Sequence, residues 1–125
     1  MDNSRFKFRV WDKIYSKYYY NAENTFEENL VLGIDYFGQY LNDDDFIIEQ
    51  CTGLKDKNGK LIYEGDILKS NDTILKVFWW SELGSFAFKK EKSVFTISQQ
   101  SIALCGFEVI GNIHENKDLL EDNND

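Results

Sequence analysis

Three acidic side chains fall within one short stretch: Asp56, Glu64 and Asp66. Carboxylates grouped this way can bind a divalent cation or share a proton in acid–base chemistry. Their spacing, however, is that of turns. Asp56 precedes Asn58-Gly59 and Asp66 follows Gly65, where a short acid hydrogen-bonds the backbone amides of a turn. Thr52, Gly53, Asp56, Asn58, Gly59, Glu64, Gly65 and Asp66 are therefore expected to build turns, and so are Gly111 and Asn112. The one histidine, His114, would need carboxylates or the two thiols, Cys51 and Cys105, as co-ligands in any metal site. A cysteine nucleophile would need that same histidine as its base. The neighbours Gln50-Cys51-Thr52 and Leu104-Cys105-Gly106 read instead as core and turn, so both thiols are expected reduced and in the core. No Gly-rich phosphate loop, Gly-x-Ser-x-Gly elbow or Cys-x-x-Cys pair occurs. The expectation is no enzyme, no metal and no cofactor.

A second chemistry is aromatic. Phe78-Trp79-Trp80, with Phe86 and Phe88 beyond a turn, would stack bases if a basic groove ran alongside. Lys89, Lys90 and Lys92 are near, but Glu82 and Glu91 interrupt them. Core and interface packing fit better, because one small monomer cannot bury both faces of that strand alone. Trp79, Trp80 and Phe86 are therefore candidate interface anchors. Asp43, Asp44 and Asp45 form a solvated acidic turn that could join such a surface.

The elements that position these groups are mostly strands. Phe6, Phe8 and Val10 alternate with Arg5, Lys7 and Arg9, which predicts one core face and one basic stripe in water. Residues 15–20 read as a tyrosine-rich strand. Between 24 and 41, Phe26, Leu30, Val31, Ile34, Phe37 and Leu41 fall near one helical face behind a Thr25-x-x-Glu28 box. Gly33 and Gly38 oppose that helix at ~1 kcal/mol each, and two short strands turning at Gly33 fit nearly as well. Phe46-Ile47-Ile48 starts a strand, and Asn58-Gly59 predicts a tight hairpin, since both residues tolerate positive φ. Strands then recur near 67–69, 74–80, 85–89, 94–97 and 107–113, the rhythm of a small barrel or sandwich.

The 125 residues suffice for one domain, and 20 are aromatic while none is proline. The net charge of −8 argues against broad phosphate or anionic-lipid binding. It is unevenly placed: residues 43–49 carry −4, residues 115–125 another −4, and the remainder is balanced. A local basic face is therefore still allowed. No apolar run approaches the ~20 residues that cross a bilayer, and no basic region followed by an apolar stretch opens the chain. A cytoplasmic protein is the expectation.

The pattern Thr52-Gly53-Leu54-x-Asp56-x-Asn58-Gly59-x-x-Ile62-Tyr63-Glu64-Gly65-Asp66-Ile67 resembles the signature of the YopX family of phage and prophage proteins. Phe8-Arg9-Val10-Trp11-Asp12 and Glu108-Val109-Ile110-Gly111-Asn112-Ile113 resemble that family's opening and closing boxes. Cys51 stands where the family pattern has an aromatic. The resemblance implies a phage setting in a bacterial host cytoplasm and a homo-oligomer, and it supplies no catalytic residue. The expected architecture is mainly β (α+β): a small twisted SH3-like barrel over about 46–113, with an N-terminal strand and one helix or hairpin packed on it. The barrel part is a fold-level analogy from the Glu64-Gly65-Asp66-Ile67 turn. Residues 1–116 would form a single domain and 117–125 an acidic tail. The expected function is non-enzymatic protein binding, in its sharpest form inhibition of a host or defence nucleic-acid-binding protein. The alternative is a nucleic-acid-associated regulatory module using the aromatic strand and the 5/7/9 stripe. A small hydrolase or metal enzyme is the remote third.

Overall fold

The computed structural model describes residues 3–29 and 33–121. Two compact units emerge, Met1–Cys51 and Thr52–Asp125. In the first, strands β1 (Phe8–Asp12) and β2 (Lys17–Tyr20) form an antiparallel hairpin. The first half of β5 (Phe46–Lys55) pairs with the other edge of β1. A second hairpin joins β3 (Phe26–Asn29) to β4 (Gly33–Tyr36), and a single helical turn, α1 (Gly38–Leu41), follows.

Of the two readings open over 24–41, the hairpin is the one observed, apart from that last turn. Two glycines and the β-branched Val31 and Ile34 weaken a helix there, and Leu41, expected on its apolar face, is 67% exposed. Gly33 opens β4 rather than making the turn, which lies outside the described residues.

The basic stripe is also corrected. Ser4–Phe6 is a 3-10 turn, Phe6 is 53% exposed, and only Arg5 and Lys7 face solvent as expected. Arg9 is 3% exposed, because the register sets it opposite Glu49 and Tyr20. Its Nε donates to Glu49 Oε1 at 2.8 Å, and its guanidinium lies 4.3 Å from the Tyr18 ring centre. The Tyr18 hydroxyl donates to the same Glu49 oxygen at 2.9 Å. A buried charge is tolerated only when paired in this way.

Asp12 ends β1 and closes the following turn. Its Oδ1 accepts from the Ile14 and Tyr15 amides, and its Oδ2 from the Tyr19 hydroxyl at 2.9 Å. Burial pulls the Asp12 carboxyl upward, but the Tyr15 amide, the Tyr19 hydroxyl, the Ile14 amide and the Lys17 charge together hold it below its usual 3.8. Burial and the hydrogen bond to Asp12 push the Tyr19 phenol up to about 12. A depressed carboxyl stabilises fully above the unfolded value near 3.8 and loses that contribution as pH falls through the folded value. Acid titration followed by circular dichroism should therefore show Asp12→Asn less stable at pH 6 and flatter below pH 4 than the wild type. Superimposable acid profiles would overturn this assignment.

The second unit is a five-stranded antiparallel sheet, ordered β10-β9-β8-β7-β11, curled as a half-barrel. Its strands are β7 (Asp66–Ser70), β8 (Thr73–Trp80), β9 (Ser85–Lys90), β10 (Ser93–Phe95) and β11 (Glu108–Asn112). The end of β5 and β6 (Leu61–Tyr63) adjoin each other in the same unit. Its core gathers Ile62, Leu68, Leu75, Val77, Phe88, Ile102 and Phe107. The fold is therefore the mainly β one expected, with β8 central. A helix that the pattern did not reveal, α2 (Gln99–Cys105), supplies Ile102. Ser98 caps it, accepting from the Ser101 amide, and Gly106 ends it with a left-handed φ of 72°. Those two cap residues were its only sequence signal, since seven residues are too few for a periodic stripe. The Gln99 side chain pins the helix start to β5, accepting from the Lys55 amide and donating to the Lys55 carbonyl, both at 2.7 Å. A short helix, α3 (Asp118–Glu121), lies within the acidic tail. Among the described residues no helix is long and apolar enough to cross a membrane.

Candidate functional site

The carboxylates of the second unit are occupied by backbone. Asp56 is 7% exposed; its Oδ1 accepts from the Asn58 and Lys60 amides at 2.8 and 2.9 Å. Its Oδ2 accepts from the Val109 amide at 3.0 Å, tying the hairpin turn to β11. Gly59 takes φ +82°, whereas Asn58 does not enter the left-handed region, so only one of the two expected positions needs it. Thr52 Oγ1 donates to the Ile62 carbonyl and accepts from the Leu54 amide across Gly53, whose φ is 84°. Buried Asp66 accepts from the Tyr63 amide at 2.8 Å around Gly65, while Glu64 is half-buried. Asn112 Oδ1 accepts from the His114 and Glu115 amides, and the Asn112 amide donates to Asn116 Oδ1. Gly111 leaves space for that arrangement: a Cβ there would collide with Asn116 Oδ1.

Nothing among the described residues assembles a metal centre, since no group of three His, Cys, Asp or Glu side chains converges. His114 is half-buried in its turn. Cys51 is buried as expected, but Cys105 is exposed. The core reading of Cys105 fails because it sits at the end of α2, where only Ile102 turns inward.

The aromatic hairpin offers more. Trp79 stands opposite Phe86, one step beyond the buried pair Val77 and Phe88 on the same face of the sheet. Their ring centres lie 5.0 Å apart at an interplanar angle of 77°, the edge-to-face arrangement that quadrupoles favour. At this end of the hairpin the core no longer covers the face, so Trp79 remains 46% exposed and Leu83 in the turn 56%. The turn is closed by the Leu83 and Gly84 amides donating to the Trp80 carbonyl. Trp80 points to the opposite face, paired with Ser85, and is half-buried. The three candidate anchors thus divide, two on one face and one on the other. In the first unit Asp43, Asp44 and Asp45 are exposed, and Asp43 Oδ1 accepts from the Asp45 amide at 2.9 Å.

Comparison with known proteins follows the same outline. The family model described as YopX protein matches residues 7–121. The crystal structure of protein EF1440 from Enterococcus faecalis is similar, with 27% identity and a TM-score of 0.67. That similarity covers 91% of this chain and 96% of the other. No curated protein matches.

Proposed function

The chain belongs to the YopX family, and on that footing we propose that it is a non-enzymatic phage or prophage accessory protein that acts by binding protein. The observation that carries the proposal is Trp79, 46% exposed where it meets the partly buried Phe86 ring edge to face, in the same hairpin as the exposed Leu83. Rigid aromatics at a surface gain binding energy at small entropic cost, which is why interfaces concentrate them. A non-enzymatic reading is supported by Asp56 and Asp66, whose oxygens accept turn amides rather than facing a cleft. The first partner is a second copy of the chain, giving a homo-oligomer in the bacterial cytoplasm. Its exposed Asp43, Asp44 and Asp45 then suit the sharper role, occupying a basic groove of a host or defence protein.

Light scattering tests the association. The wild type should run as a multiple of its 14.7 kDa mass. Substituting both Trp79→Ser and Phe86→Ser should return it to a monomer while the circular dichroism spectrum is retained. A monodisperse wild-type mass near 14.7 kDa at high concentration would defeat the proposal.

A further inference from the structure

The pairing of three strands collects a cationic row that no segment of the chain displays by itself. Ile67 of β7 stands opposite Lys76 of β8, and Lys76 stands directly opposite Lys89 of β9. Alternation along each strand then sets Lys69, Lys76 and Lys89 on one face of the sheet, with Lys69 diagonal to Lys76. Like charges directly across a strand pair repel. Among the described residues none of the three makes an ion pair. The neighbouring acid, Glu108 of β11, lies opposite Lys69 but is engaged by Lys57 at 3.9 Å and by the Asn58 amide group at 3.3 Å. Lys69 and Lys89 are exposed and Lys76 is partly buried. Two and four residues beyond Lys76, on the same face of the same strand, follow Phe78 and Trp80, both partly buried.

We propose that this face binds single-stranded nucleic acid. The lysines neutralise successive phosphates, which also relieves the Lys76–Lys89 repulsion, and Phe78 and Trp80 offer rings against which bases stack. An acidic polypeptide would satisfy the lysines but leave both rings unused, so the aromatic half of the face decides between the two polyanions. The proposal is separate from the association through Trp79 and Phe86, which lie on the other face.

Fluorescence anisotropy of a short labelled oligothymidine, titrated with the full chain at low salt, tests it. The logarithm of affinity should fall against that of salt with a slope of roughly −2, as three phosphate contacts predict for a single strand. Lys76→Glu sets opposite charges across the pair, so its melting temperature should hold or rise while affinity drops by about tenfold or more. Three results would each overturn the proposal: no anisotropy change at low salt, unchanged binding by Lys76→Glu, or displacement by polyaspartate as effective as by unlabelled oligothymidine.

Discussion

Arg9→Ala should cost about 3–5 kcal/mol of stability, the range for removing one partner of a buried ion pair. Arg9 and Glu49 are each 3% exposed, and the Arg9 guanidinium is held both by the carboxylate at 2.8 Å and by the Tyr18 ring at 4.3 Å. Without the guanidinium, Glu49 must stay charged in a buried site or take up a proton, and either outcome is unfavourable. The Tyr18 hydroxyl, donating to Glu49 Oε1, compensates only in part. Removing both charges is a different matter. An Arg9→Met, Glu49→Leu double variant leaves no buried ion to desolvate and should fall within about 1 kcal/mol of the wild type. Urea unfolding of the three proteins measures the contrast. A single variant as stable as the wild type would show that the pair is not held in the interior as described.

Asp56→Ala is expected to cost about 3 kcal/mol, because three backbone donors lose their acceptor together. The Asn58 and Lys60 amides bind Oδ1 and the Val109 amide binds Oδ2, so one side chain both shapes the turn and fastens it to β11. Asp56→Asn separates those two roles. Its single acceptor oxygen still serves the turn, but the amide group cannot accept from Val109, so roughly half the loss should remain. Thermal melts of both variants give the ordering. A divalent cation that raised the wild-type melting temperature, but not that of Asp56→Ala, would instead make this carboxylate a ligand.

What the chain order shows directly is its turn chemistry. Apart from the Asp56 bond to the Val109 amide, Thr52, Asp56, Asp66 and Asn112 bond to backbone groups two to ten residues away, and Gly59 and Gly65 take left-handed φ values that few other residues adopt. The spacing of strands was legible for a related reason, since alternation and punctuation are both local. Over 24–41 that locality worked against the reading: a helical stripe and a hairpin fit the same apolar residues, and the paired backbone resolved them as β3 and β4.

Helix α2 marks a second boundary of legibility, because seven residues announce themselves only by a serine and a glycine at their ends. Cys105 was misplaced for the same reason, its exposure depending on which side of that helix packs inward.

The residues themselves therefore determined the family pattern, the turns, the acidic loop and tail, and a mainly β architecture. Tertiary structure alone decided which charges meet. The apparent basic stripe at 5, 7 and 9 dissolved once Arg9 was registered against Glu49, forty positions along the chain. A different row appeared at Lys69, Lys76 and Lys89, drawn from three strands. The physical reason is that a side chain's turn-forming bonds reach a few residues, whereas its charge environment depends on strand register, and a one-residue slip would send every partner to the opposite face.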